Sequence, residues 1–380
     1  MSFDLLLPTR IIFGRGKIEQ ISECRTYGNK ALIVTGKYSS KKSGLLEKVL
    51  EILDNCTIPY VIYDEVISNP DCISVDKGVK VSTENRCNMV IALGGGSAID
   101  TAKGIAVGSV ELSPIWDFLR PDSRKRSIRG ALPIIAVPTT SGTGSEVNGA
   151  AVIQNNEIGF KPSFKSIYTF PRLSIIDPEF MTTMDRSVTA STGVDAFCQA
   201  LECFIGVKAN EVSNIYALES IKLSYKYLKK AYDDGNNIEA REKMALAAML
   251  SGLAMASSGT SLVHALEHPL SGRYNITHGV GLAALLPSFI EFSFKYNEEK
   301  YKKIASILRG KEVEALEIHT IIEEFLKSVG LKLRLRDLKI KEEDINILAK
   351  DTIMTLTGSI KNFNKPINED DCKMIYKMAL

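Results

Sequence analysis

Three of the four histidines in this 380-residue chain, His264, His268 and His278, fall inside one short stretch, HALEHPLSGRYNITH. Imidazole is the commonest transition-metal ligand and the usual proton shuttle near neutral pH, so the cluster predicts a metal or acid–base site. Helix packing and capping account for clustered histidines equally well, and the choice rests on other residues. Upstream, TGVDAFCQALE (192–202) reads as a helix with Asp195 and Gln199 one turn apart and Cys198 on nearly the same face. Facing His264 and His278 from a second helix, Asp195 would give a mixed oxygen and nitrogen site suited to Fe(II) or Zn(II). Taken alone, Asp195 is better read as a first-turn acid stabilising the helix dipole. HALEH also fits the H-x-x-E-H arrangement of zinc peptidases, with Glu267 as base. Pro269 argues against that reading, because it stands where the helix should continue.

Two polar stretches have the composition of ligand-binding turns. Gly94, Gly95, Gly96 and Ser97 join an apolar run to SAIDTAKGIAV, which has helical character with Ala98, Ala102 and Ile105 on its packing side. A glycine turn between strand and helix lets backbone N–H groups approach a phosphate at the helix N-terminus. It matches neither G-x-G-x-x-G nor a P-loop, and glycine there can equally serve tight packing. The second stretch, PTTSGTGSE (138–146), sets Thr139, Thr140, Ser141, Thr143 and Ser145 around Gly142 and Gly144. It reads as a second lip on the same side of a sheet, facing the first, since ligands of open α/β sheets sit beyond the strands' carboxyl ends.

The elements that must position these residues follow from hydrophobic patterning. ALIVT (31–35), YVIYD (60–64), MVIAL (89–93), PIIAV (133–137) and SIID (174–177) are near-continuous apolar runs, as in strands covered on both faces. The first two flank KKSGLLEKVLEILDN, where Leu45, Leu46, Val49, Leu50 and Leu53 make the buried face of a crossover helix. From about Ser187 β-branched runs nearly vanish, and SNIYALESIKLSYKYLKKAYDDG and AREKMALAAMLSGLAMASSG predict long helices ended by glycine. The fold expected is a parallel α/β domain followed by an all-helical one.

A net charge of +2 with scattered Lys and Arg excludes the basic stripe of a nucleic-acid binder and points to a small-molecule partner. Seven cysteines without a C-x-x-C pair predict reduced thiols and a cytoplasmic protein. MSFDLLLPTR lacks the pattern of a signal peptide, and GVGLAALLP is too short to cross a bilayer, so no membrane partner is expected.

The chain resembles the iron-containing (group III) alcohol dehydrogenases along its whole length. The resemblance is carried by FGRG (13–16), NP (69–70), GGGSAIDTAK (94–103), PTTSGTGSE (138–146), IIDP (175–178), TGVDA (192–196) and H264-x3-H268-P-L-x-G-x-Y-x3-H278-G. It implies a Rossmann-like domain over 1–180, a helical metal- and substrate-binding domain over 181–380, and catalysis between them, the dehydroquinate synthase-like fold. It implies hydride transfer between a small primary alcohol or diol and nicotinamide, in a homodimer. The family's ligands, an Asp and three His, fall on Asp195, Gln199, His264 and His278, so one histidine is replaced by glutamine. Gln199 could still bind through its carbonyl; otherwise the site is empty, or Cys198 substitutes. His268 matches a non-ligand histidine near the substrate, a proton relay.

The resemblance places the pyrophosphate on Gly95, Gly96 and Ser97, adenine and nicotinamide contacts on Thr139, Thr140 and Thr143, and cofactor contacts on Asn69 and Lys161, although Lys161 could equally be a solvated surface residue. Where NAD-preferring relatives carry an Asp, this chain has Lys37; with Gly36, Ser39, Ser40 and nearby lysines it resembles the NADP-preferring members, and charge complementarity to a 2′-phosphate agrees. Two other readings are a nucleotide-binding protein whose metal site is weakened or lost, and a metal-dependent lyase or cyclase on the same fold.

Overall fold

The computed structural model describes residues 3–380. Eight strands occur: β1 (Arg10–Phe13), β2 (Ala31–Gly36), β3 (Tyr60–Val66), β4 (Met89–Gly94), β5 (Ile134–Pro138), β6 (Ala150–Val152), β7 (Ser163–Lys165) and β8 (Leu173–Ile176). Six form one parallel sheet in the order β1-β8-β5-β4-β2-β3, and β6 pairs with β7 as a small antiparallel hairpin. All five strands expected from the apolar runs are present. β1 and the hairpin were not foreseen; at three or four residues each they are too short to show a pattern.

The sheet is sandwiched by α1 (Ser39–Lys42), α2 (Leu45–Asn55), α3 (Cys72–Glu84) and α4 (Gly96–Glu111). Its two faces carry separate apolar cores, one built on Leu32, Val90, Ala102 and Ile105, the other on Ile33, Leu45, Val49 and Leu53. In α2 the buried face is Leu45, Leu46, Val49, Ile52 and Leu53, so Ile52 takes the place expected of Leu50, which is only half-buried. The strand order reverses between β2 and β4, and at such a point the crossovers diverge to leave a crevice beyond the carboxyl ends.

After β8 the chain is helical: α5 (Arg186–Ile205), α6 (Glu211–Asp233), α7 (Ile238–Ser258), α8 (Leu262–Tyr274), α9 (His278–Arg309), α10 (Glu317–Ser328), α11 (Ile345–Thr355), α12 (Thr357–Ile360) and α13 (Glu369–Ala379). α7 ends on Gly259 with φ +75°, the left-handed exit that glycine takes without strain. One correction concerns Pro269, which does not stop its helix. α8 runs through it to Tyr274, losing only the N–H that would have reached the carbonyl of Ala265. No single helix among the described residues is long and apolar enough to cross a membrane; only α7 and α8 together pass on composition, and they are bent by 108° and buried in the helical core.

Candidate functional site

Helix α5 is started by Asp185, whose carboxylate caps the Val188 amide at 2.8 Å, and it crosses the protein interior to Ile205. Asp195, Gln199 and Glu202 stand at i, i+4 and i+7, hence on one face. α8 brings His264, Glu267 and His268, and the turn at Asn275 (φ +52°) sends the chain into α9, whose first residue is His278. Asp195 Oδ1 lies 3.6 Å from His264 Nε2 and 3.8 Å from His278 Nε2.

Both imidazoles are held from behind. His264 Nδ1 is hydrogen-bonded to Glu202 and His278 Nδ1 to Glu267, two carboxylates with no solvent exposure. A carboxylate only accepts, so each Nδ1 carries the proton and each Nε2 presents a lone pair. His264 Nε2 is buried and has no partner. Burial alone would lower the His264 pKa, but Glu202 and Asp195 lift it to about 10, so a cation taking the Nε2 lone pair must displace a proton. Burial opposes ionisation of Glu267, yet His278 and Lys161 hold it at about 2.

Gln199 closes the third side. Its Nε2 donates to the Thr143 carbonyl at 3.1 Å and to Ser251 Oγ at 2.9 Å, while Ser251 donates its own proton to the Ala248 carbonyl. Both partners act as acceptors, which fixes the amide orientation and leaves Oε1 as the uncommitted atom. The orphaned His264 Nε2, the His278 Nε2 and the Asp195 carboxylate converge on one point and fit a divalent cation, with Gln199 lining the same chamber. Cys198 does not line the chamber. It lies in the apolar core of the helical region, where burial raises its thiol pKa well above the ordinary value.

His268 Nδ1 donates to the Lys161 carbonyl at 2.8 Å, which leaves its Nε2 as an acceptor; burial and Lys161 keep the ring neutral. Lys161 is buried rather than a solvated surface residue, and its ammonium donates to Asn69 Oδ1 at 2.9 Å. Asn69, at φ +52°, in turn bonds Asn275 across the cleft at 2.9 Å. The peptidase reading of HALEH fails here, because Glu267 is committed to His278 and Ser271.

The two polar lips do meet. A Cβ on Gly95 would lie 2.8 Å from Thr140 Oγ1, and one on Gly96 would lie 2.6 Å from Thr143 Cγ2. The glycines are therefore required by the threonine lip, and together they leave the first amides of α4 without side-chain cover. Thr139 packs alongside with its amide on the Gly94 carbonyl at 3.1 Å and its hydroxyl unpartnered. A chamber of about 190 Å³ runs from Gly96 and Ser97 past Asn69, Thr143 and Lys161 to Asp195, Gln199 and the three histidines, joining both subsites. At its Gly96 end the open α4 amides suit a phosphate, while Gly95, Thr139 and Thr140 do not line the chamber.

At the end of β2 the picture differs from expectation. Gly36 is half-buried and Ser39 exposed, but Ser40 is fully buried with its hydroxyl on Thr35 Oγ1 at 2.6 Å. Thr35 gives its proton to the Leu93 carbonyl, so Ser40 is the donor of that pair and is turned away from any nucleotide. Lys41 is likewise engaged, by Asp64 at 2.9 Å, whereas Lys37 and Ser39 remain exposed.

The sequence profile of the iron-containing alcohol dehydrogenases matches residues 8–178, and that of the C-terminal part of the Fe-containing alcohol dehydrogenase family matches 189–380. The chain belongs to this family. It is 32% identical to the 1,3-propanediol dehydrogenase of Klebsiella pneumoniae over 99% of this chain and 98% of that one. It is 33% identical to NADH-dependent butanol dehydrogenase A of Clostridium acetobutylicum over the full length of both. Among solved structures, the alcohol dehydrogenase of a halo-thermophilic archaeon from a Red Sea brine pool superposes with a TM-score of 0.96 at 35% identity, covering 100% of this chain and 99% of that one.

Within this family fold, reasoning from sequence missed Glu202, which orients His264, and Ser251, which orients Gln199, and it singled out Glu267 only as a peptidase base rather than as the partner of His278. Glu202 was discoverable as the next residue on the face shared by Asp195 and Gln199. Ser251 lies on a different helix, with no local pattern to betray it.

Proposed function

We propose that this protein is a metal-dependent, NAD(P)-linked alcohol dehydrogenase or aldehyde reductase acting on small primary alcohols or diols. The observation that carries the reading is the pair of carboxylate-backed imidazoles whose Nε2 atoms converge on Asp195 at one end of a chamber that begins at the glycine turn. Asp195, Gln199 Oε1, His264 and His278 would hold the ion. When bound, it supplies a Lewis acid that polarises a carbonyl or acidifies an alcohol. A nicotinamide bound in the chamber would supply the hydride acceptor or donor.

The remaining work belongs to side chains and backbone. Gly95, Gly96, Ser97 and the α4 N-terminus bind the pyrophosphate, and Thr139, Thr140, Thr143, Asn69 and Lys161 orient the rest of the cofactor. Glu202 and Glu267 fix the tautomer of each ligating ring. His268, neutral and with its Nε2 free, passes the proton between the reacting oxygen and solvent. Asn69, Lys161 and His268 form one hydrogen-bonded chain, so cofactor seating and proton relay are mechanically linked.

Lys37 at the end of β2, where an acid would repel a 2′-phosphate, supports a preference for NADP, now resting on Lys37, Gly36 and Ser39 without Ser40. The division at about residue 180, the cytoplasmic setting suggested by seven unpaired cysteines, and a homodimer through the open edge of β1 are parts of the same proposal. The test is reduction of short aldehydes after loading purified protein with Fe(II), Zn(II), Mn(II) or Co(II), with NADPH and NADH at matched concentration. Turnover requiring added metal and faster with NADPH is expected. Cofactor binding without turnover under every metal would establish the second reading, a nucleotide-binding protein with a lost metal site, and equal or faster turnover with NADH would remove the NADP preference.

A further inference from the structure

A second cavity, of about 840 Å³, adjoins the chamber, with Ala150, Ser163, Met255, Thr260 and Leu356 among the residues that line both. Neither the glycine-turn residues nor the candidate ligands line it, so it is a separate space that meets the chamber across those shared residues. Four cations line this outer cavity, Lys125, Arg126, Lys165 and Lys208, and no Asp or Glu does. They come from three separate segments, which is why a sequence with scattered basic residues gave no hint of them.

The four are not equivalent. Arg126 already has Glu111 at 3.9 Å and the Ser113 hydroxyl. Lys125, Lys165 and Lys208 have no carboxylate partner among the described residues. The Lys165 ammonium donates to the Ala256 carbonyl at 3.0 Å, which ties it to the cavity wall, and the backbone of Lys208 is held by Asn362 Oδ1 at 2.9 Å. Burial, and the like charge of Lys208, pull the Lys165 pKa down, so the two ammonium groups repel. The four side chains are exposed, but like charges gathered around one concavity with no acid lining it focus an attractive field on anions.

We propose that the substrate carries an anionic group, a carboxylate, sulfonate or phosphate, at the end remote from the reacting carbon, bound by Lys165 and Lys208 in this outer cavity. The proposal rests on the dehydrogenase reading and narrows its substrate class. A neutral alcohol would leave the cations unpartnered, whereas an ω-anionic one would place its charge between them while its hydroxyl reaches the ligand cluster. Charge-assisted hydrogen bonds of this kind contribute more than neutral ones and discriminate strongly against an analogue lacking the group.

Two matched pairs test it: 4-oxobutanoate against butanal for a carboxylate, and glyceraldehyde 3-phosphate against glyceraldehyde for a phosphate, each with metal-loaded enzyme. In at least one pair the charged member is expected to have a kcat/KM higher by roughly tenfold or more, through KM, and the advantage should shrink as salt screens the site. Lys165→Gln/Lys208→Gln should lower that ratio by about tenfold, while Lys165→Arg/Lys208→Arg keeps most of it, thermal melting confirming that both variants fold. A ratio near one in both pairs, or a ratio unchanged in the glutamine variant, overturns the proposal. If no aldehyde is reduced at all, the dehydrogenase reading has failed instead, and calorimetric binding of butanedioate decides separately: binding lost in the glutamine variant supports an anion pocket, and no binding to the parent protein overturns it.

Discussion

At position 199 a glutamine amide is clamped by the Thr143 carbonyl and Ser251, and that clamp decides what the substitution means. A freely rotating amide would present oxygen and nitrogen in turn, and the nitrogen repels a cation. Here the nitrogen is committed and only the oxygen is left. On the proposed ligand set the site would be a two-nitrogen, two-oxygen site, harder than one with three imidazoles, and such donors hold Fe(II) and Zn(II) less tightly. Gln199→His is expected to tighten Zn(II) or Co(II) binding by at least about tenfold, measured by calorimetry and by metal retained after dialysis. Unchanged affinity would show that position 199 is not a ligand. His264 and His278 were legible as a cluster of a scarce residue, whereas Asp195 alone read as a first-turn acid, because the three stand on separate helices, α5, α8 and α9, that no local periodicity connects. The partners that aim the histidines were not legible: Glu202 looks like an ordinary helix acid and Glu267 like a peptidase base until burial and pairing reveal their role.

At the scale of elements, the β4–α4 turn and the loop after β5 are one device. Gly95 and Gly96 of the turn are each opposed by a threonine of the loop, so neither stretch makes sense alone. Gly96 opens α4 in a helical conformation, so an alanine there meets no backbone strain; its only obstacle is the Thr143 side chain 2.6 Å away. Gly96→Ala is therefore expected to raise the KM for NADPH by roughly tenfold by crowding the pyrophosphate approach. Adding Thr143→Ala should recover part of that loss. No recovery in the double variant would mean that the cost lies in covering the α4 amides themselves. The strands around this device were readable because buried parallel strands are continuous apolar runs. Ser40 was misread for a related reason: a serine just beyond a strand looks solvent-facing, and only the Thr35 hydroxyl and the Leu93 carbonyl behind it turn it inward.

Across the whole molecule, the parallel sheet is tied to the outer cleft wall through buried charge. Lys103 of α4 donates to the Ser145 carbonyl at 2.8 Å, Ser145 Oγ at 2.7 Å and the Ala150 carbonyl at 2.7 Å. Ser145 gives its proton to Asp100 at 2.6 Å, and Asn148 Oδ1 stands 3.5 Å from the Lys103 ammonium, so all four partners of Lys103 are acceptors. Glu146 is buried beside this network, and burial, partly offset by its own backbone amide and by Lys103, raises its carboxyl to about 7 from an ordinary 4.5. The folded state therefore keeps the Glu146 proton while the unfolded chain releases it. This contribution to stability is full below about pH 4.5 and is lost as pH rises to about 7, a change on the order of 3 kcal/mol. Asp100, also raised by burial, acts in the same direction. Lys103 acts in reverse, because burial lowers it to about 8, so stability recovers above that pH as the unfolded chain alone holds the extra proton. Glu146→Gln isolates the first arm. Urea unfolding of parent and variant is expected to give nearly equal stabilities near pH 4.5, with the variant pulling ahead progressively up to pH 7 and the gap constant beyond. A gap that does not change between pH 4.5 and 7 would show that Glu146 ionises in the fold as it does in water, and that Lys103, rather than burial, governs it.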